Sequence, residues 1–244
     1  MHHYERLLRE TRESMRWYFI FNGSNWPAPD VTFAMEAPKN VLPKRFAQME
    51  RNGGMYGGYM DTLIIPCVLG LDSAFVWVME YDVDFSGCWD GFFSQFSECT
   101  ADLLITTLTP RRNRPDWANW STASYPEHVL DGHVYRAFHP IMRVSRRFAL
   151  GYQRLMADPG WAGHSEFTLP TSAFSAGFSV EDMRYVRSPD NPQLENYKNS
   201  PGNEGLSPGS FLFRPAKGCY FHECPQQFEH RDLLYHPVKP WQPY

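Results

Sequence analysis

No stretch of the chain stays apolar for the roughly 18 residues that a bilayer crossing demands. The longest candidate, Leu63 to Leu71, stops at Asp72. A transmembrane segment is therefore not expected. The opening MHHYERLLRE is charged from the start and carries no apolar leader, so the expected location is cytoplasmic. Charge of one sign is lacking too: 23 Lys+Arg stand against 27 Asp+Glu, a formal net charge of −4. No basic stripe runs along the chain, and a nucleic-acid partner is not expected. Cysteine is scarce. Cys67, Cys88, Cys99, Cys219 and Cys224 are an odd set without CxxC spacing, which predicts free thiols in a reducing compartment rather than a disulfide framework. Cys219 and Cys224 flank His222, but they lack the paired spacing of a structural zinc site and read as a loop–strand corner. Internal repeats and coiled-coil heptads are absent.

The composition that remains is 43% hydrophobic and 16% aromatic, which is that of a globular chain. Tyr4 to Ser14 reads as a helix, with Leu7, Leu8 and Thr11 on helical spacing. Residues 16–21 and 31–35 read as short strands, and 43–50 as a helix ended by Asn52-Gly53-Gly54. Asp61 should cap a helix through Leu71, with Pro66 forcing a kink or a later start. Phe75 to Met79 is the strongest strand signal, continuous and apolar as in a strand covered on both faces. A helix over 88–99 and a strand over 101–108 follow. This alternation predicts an α/β fold with a mostly parallel sheet flanked by helices.

Beyond residue 110 the pattern is less regular. Residues 111–126 read as loop, 134–144 as strand, 146–156 as helix, and 211–221 and 233–235 as short strands. Ser188 to Ser210 holds four prolines and three glycines, and a loop of that length in a compact domain is usually functional or mobile. The expected organisation is one domain over 1–244, with halves at about 1–110 and 111–244.

The chemistry concentrates directly after the apolar strand. Glu80, Asp82 and Asp84 lie at i, i+2 and i+4, and on an extended backbone these positions share a face. Such a trio repels itself, and a divalent cation relieves the repulsion. Oxygen ligands suit Mg²⁺ or Mn²⁺. Ligands of open α/β sheets bind outside the carboxyl ends of strands, which is where these acids fall.

Strand, acidic DxD, turn and helix together resemble the GT-A glycosyltransferases. The resemblance implies that Asp82 and Asp84 hold a metal bridging the diphosphate of a nucleotide-sugar donor. An alternative reading of the motif uses Glu80 and Asp82. A histidine near the end of such chains often completes the metal site, which points to His236, with Lys239 placed to meet phosphate. The family's inverting members place a carboxylate at the acceptor hydroxyl. Glu166 in Trp161-Ala-Gly-His164-Ser-Glu166 is the first candidate, and Asp182 or Glu181 the second. A positioned base is worth about 10²–10⁴ in rate. Arg143, Arg146, Arg147 and Lys239 are candidate helpers for the leaving diphosphate. Trp161 and His164 are candidate acceptor contacts, and Trp117, Trp120 and Tyr185 candidate sugar platforms.

The first nucleotide-binding strand of that family is absent from the pattern; either the chain is a shortened form or the sheet has lost an element. The implied activity is metal-dependent hexosyl or N-acetylhexosaminyl transfer to a hydroxyl of a carbohydrate or other acceptor, with an irregular C-terminal acceptor part. The alternatives are a metal-dependent phosphoester hydrolase and a non-catalytic carbohydrate- or partner-binding domain.

Overall fold

The computed structural model describes residues 2–20, 34–35, 39–52, 54, 58–188, 190, 192–199 and 230–238. Lys239, the Cys219–Cys224 segment, the predicted strand over 211–221 and most of the predicted 188–210 loop lie outside these residues. The chain forms two compact units. One comprises Met1–Trp17, Met79–Thr100 and Asp182–Tyr244; the other comprises Tyr18–Val78 and Ala101–Glu181. No helix among the described residues is long and apolar enough to cross a membrane.

The larger unit is an α/β assembly around a mixed four-stranded sheet. Its strands are β3 (Phe75–Met79), β5 (Leu103–Pro110), β6 (Tyr135–Ser145) and β7 (Val180–Asp182), in the order β3-β6-β5-β7. Two short strands, β1 (Phe19–Ile20) and β2 (Ala34–Met35), pair in parallel. The central pair β5–β6 runs antiparallel, against the expectation of parallel crossovers. The physical reason lies in the connection: residues 111–134 hold only short 3₁₀ turns, so no helix carries the chain back across the sheet. The β3 strand stands where its sequence predicts, but it takes an outer place in the order and Phe75 is exposed.

Register in the central pair is broken twice. Between Leu104↔Arg143 and Thr106↔Phe138, β6 carries extra residues around Pro140, which has no N–H for the ladder. Between Thr106 and Thr109 the extra residue falls on β5, and Thr107 there takes a φ of 54°. These are bulges, which re-aim the strand ends.

Helices α2 (Pro43–Arg51), α3 (Asp61–Gly70), α5 (Arg146–Leu155) and α6 (Ser165–Ser175) complete this unit. Ile64, Ile65 and Val68 of α3, Phe148 and Tyr152 of α5, and Phe167 and Leu169 of α6 form one core with Leu103, Ile105, Met142 and Val144 of the sheet. Each fully buried aliphatic or aromatic side chain contributes about 1.5–3 kcal/mol. Pro66 lies inside α3 without ending it. Asp61 is the first residue of α3 rather than its cap. Its carboxylate turns to Arg45, which reaches it from α2 through Nε at 2.7 Å and Nη2 at 2.9 Å.

The smaller unit gathers α1 (His2–Thr11), β4 (Asp84–Phe85), α4 (Trp89–Ser94) and β8 (Leu234–Tyr235). Leu7 and Thr11 of α1 are buried one turn apart, as the helical spacing predicts, and Leu8 is exposed. Trp89, Phe92, Phe93 and Phe96 build an aromatic core with Phe85 and Trp17. β4 and β8 pair antiparallel, Asp84 opposite Tyr235 and Phe85 opposite Leu234.

Candidate metal centre

The acidic trio does not share a face. β3 ends at Met79, and the carbonyl of Glu80 accepts the N–H of Val83 at 3.3 Å. The chain turns there before β4 resumes at Asp84, so the two-residue alternation of a continuous strand is lost. Glu80 and Asp82 stay together. Asp84 is fully buried and its Oδ1 pairs with Nη2 of Arg6 from α1. The same guanidinium donates to the carbonyls of Phe85 at 2.6 Å and Gly87 at 3.1 Å. Asp84, expected to join Asp82 in the metal motif, is thus engaged by an arginine from a helix far away in the chain.

His236 takes the third place. Its Nε2 lies 3.1 Å from Oε2 of Glu80 and 3.4 Å from Oδ1 of Asp82. One ligand atom from each of Glu80, Asp82 and His236 falls within 4.8 Å of the others. Asp82 is 4% exposed and His236 9%, while Glu80 is half-buried.

The backbone explains why a residue this distant arrives. Ser86 and Leu233 exchange hydrogen bonds, N–H of Ser86 to the Leu233 carbonyl at 3.0 Å and N–H of Leu233 to Ser86 Oγ at 2.9 Å. Beyond β8, the N–H of Val238 donates to the carbonyl of Asp82 at 2.7 Å. Strand pairing on one side and this bond on the other bracket His236.

Burial opposes a charge on the His236 ring, but the hydrogen bonds and negative charges of Asp82 and Glu80 outweigh it and raise its pKa. In chemical terms the imidazolium stands in for a cation between two carboxylates. Two hard oxygen donors and one imidazole nitrogen suit Mn²⁺ well and Mg²⁺ less well. The donor set therefore fits a single divalent ion.

The remaining predicted residues sit elsewhere. In the smaller unit, Oδ1 of Asp182 accepts from the N–H of Arg184 at 2.9 Å and the hydroxyl of Tyr197 at 2.5 Å. The first closes a turn, and the second ties Asp182 to a residue 15 positions later in the chain. In the larger unit, Trp161 is 1% exposed in the hydrophobic core, so its ring offers no face to an acceptor. Arg143 is buried on β6, its guanidinium 4.4 Å from the Phe75 ring centroid and 5.9 Å from that of Trp77.

His164 caps α6: its Nδ1 accepts the N–H of Glu166 at 3.2 Å. Burial, with the nearby charge of His139, lowers its pKa to about 4. The ring is therefore neutral near pH 7 and carries its proton on Nε2. It packs on Gly58, whose φ is 86° and where any Cβ would overlap the imidazole. Glu166 in the first turn of α6 lies 3.9 Å from Arg136 and keeps 15% of its side chain exposed.

Sequence reasoning missed two buried networks. Arg45, Asp61, Tyr152 and Thr168 form one: the Tyr152 hydroxyl lies 2.8 Å from Asp61 and 2.7 Å from Thr168, and Arg45 also donates to Gln48 and the Gly163 carbonyl at 2.9 Å. Asp102 heads the other. Its carboxylate accepts from the Ser145 hydroxyl at 2.8 Å, the Ser179 hydroxyl at 2.9 Å and Arg147 Nε at 2.9 Å. Burial alone would raise its pKa, but these donors, Arg147 above all, lower it. No local motif marks either network.

Compared with known proteins, the chain matches no family model and no curated relative.

Proposed function

We propose that the chain is a metal-dependent glycosyltransferase of the GT-A kind, moving a sugar from a nucleotide-diphosphate donor to an acceptor hydroxyl. One observation carries the reading: Glu80, Asp82 and His236 converge just beyond the end of an apolar strand of an α/β chain. A divalent ion held by Glu80, Asp82 and His236 would supply Lewis-acid neutralisation of a departing diphosphate. Asp82 would hold it from a buried position and Glu80 from a more exposed one, and His236 would take it only as neutral imidazole.

Among the described residues the only such cluster holds two carboxylates and one histidine, a donor set for one cation. A two-cation phosphoester hydrolase is less well served by it.

Isothermal titration with Mn²⁺, followed by a panel of nucleoside diphosphates, tests the reading. Metal-dependent binding of at least one nucleotide is expected, abolished by Asp82→Ala in folded protein. A folded protein that binds no nucleotide with or without metal would refute it.

A further inference from the structure

The end of β5 carries a second concentration of charge, in the larger unit. Arg111 and Arg112 lie in the 3₁₀ turn that follows Pro110, and Arg114 closes it. Thr109 pairs with Arg136 across the ladder, and the N–H of Arg111 donates to the Val134 carbonyl at 2.9 Å. Four guanidinium side chains thus start from one end of the sheet. Two indoles lie among them, Trp117 and Trp120, packed edge to face with centroids 4.8 Å apart. Arg111 stands 5.3 Å over Trp120, and Arg136 stands 5.5 Å over Trp117.

Arg111, Arg114 and Trp120 are held by hydrogen bonds. Arg111 donates to the Tyr125 hydroxyl at 3.4 Å, and Arg114 to Asp116 at 3.2 Å. Trp120 Nε1 donates to the Arg114 carbonyl at 2.8 Å. Arg136 is 2% exposed, Arg111 and Arg112 are exposed, and Trp117 is half-buried. Asp116 pairs with Arg114 and Glu166 with Arg136, which leaves Arg111 and Arg112 as the exposed guanidiniums with no acid shown beside them among the described residues. Burial, together with the charge of Arg114, holds the pKa of Arg136 below its ordinary value. Positive charge is crowded here, and an added anion relieves it.

We propose that this end of the sheet binds a carboxylate-bearing oligosaccharide. Guanidinium forks match carboxylates bidentately. Arg111, already held by its stacking and hydrogen bond, loses less entropy on binding than a mobile surface lysine. The half-buried Trp117 gives a rigid amphipathic face for the C–H side of a sugar ring. A polynucleotide would require a longer basic stripe, and an anionic membrane a cluster of about four to eight cations beside an anchor. Asp116 sits inside this cluster and disfavours both.

The metal centre belongs to the other unit, so the test is run in EDTA and does not depend on it. Tri-galacturonate is titrated calorimetrically into the full chain, with maltotriose, a single-stranded oligonucleotide and phosphatidylserine vesicles in parallel. Saturable binding of tri-galacturonate alone is expected. It should weaken at least about tenfold in Arg111→Gln/Arg112→Gln, a loss equivalent to one good charged contact. Both side chains are exposed, and circular dichroism verifies the fold of the variant. Trp117→Leu should weaken binding as well. No binding of tri-galacturonate, equal binding of maltotriose, an unaffected double variant, or tighter binding of the oligonucleotide or vesicles each overturns the proposal.

Discussion

The N–H of Val238 donates to the carbonyl oxygen of Asp82 at 2.7 Å. This bond ties the tail of the described chain to the turn that carries two of the three candidate ligands. His236 stands between it and the β4–β8 ladder, so the imidazole is placed by backbone on both sides. Glu80 and Asp82 are placed by the turn itself.

Asp82 and Asp84 should separate on mutation. Asp82→Asn removes a ligand, and Mn²⁺ affinity by calorimetry should fall at least about tenfold, or 1.4 kcal/mol. Asp84→Asn removes the counter-charge of buried Arg6. Breaking a buried pair of this kind costs about 3–5 kcal/mol of stability, read by urea unfolding. Metal affinity of the folded Asp84→Asn protein should stay within about 1 kcal/mol of wild type. Equal loss of metal binding in both variants would show that Asp84 coordinates.

Metal affinity should rise with pH. Without metal, protonated His236 bridges Glu80 and Asp82, and its pKa in the fold is raised. The stabilisation this gives is complete below the ordinary histidine value of about 6.5 and is lost as pH climbs through the elevated one. Metal needs the neutral ring, so protons and Mn²⁺ compete in the same window. The gain in Tm on adding Mn²⁺ should therefore increase from about pH 6 to about pH 8. His236→Gln should flatten the dependence. A gain independent of pH in wild type would remove His236 from the site.

The Arg45 network should behave as one unit. Arg45→Met leaves Asp61 buried without its cation and should lower stability by about 3–5 kcal/mol. Tyr152→Phe deletes one buried hydroxyl shared by Asp61 and Thr168, with an expected loss of about 1–3 kcal/mol. The double variant should lose less than the sum, because both deletions strip the same carboxylate. Strict additivity in urea unfolding would contradict the shared network.

Gly58→Ala tests the contact that holds the cap of α6. The left-handed backbone alone costs an alanine about 1–2 kcal/mol, and overlap with the His164 ring adds to it. In a His164→Asn background, where a shorter side chain still caps the helix, the added loss should shrink to the backbone part. The same loss in both backgrounds would mean that the imidazole and Gly58 do not press on each other.

Much of the fold was legible. The Leu7–Thr11 spacing, the apolar run at Phe75 to Met79 and the helix after Ser145 each stand in the structure near their predicted bounds, because local pattern suffices for single elements. Strand direction in the central pair was missed although residues 111–126 read as loop: a connection without a crossover helix joins Leu103–Pro110 to Tyr135–Ser145, and the two pair antiparallel. Glu80, Asp82 and His236 were each singled out, and the structure brings them together. The pairing of Asp84 with Arg6 was not legible, because no motif links the two. The burial of Trp161 and Arg143 was not legible either, because sequence alone does not tell a buried aromatic or arginine from an exposed one.

Glu80 and Asp82 are translated long before His236, and the whole of the larger unit's second segment separates them in time. A growing polypeptide therefore presents two bare acids while its ring nitrogen is still unmade. The proposed ion site would be complete only once His236 has been made, and a protease that clips ahead of Leu233 would sever β8 and His236 from the two acids together.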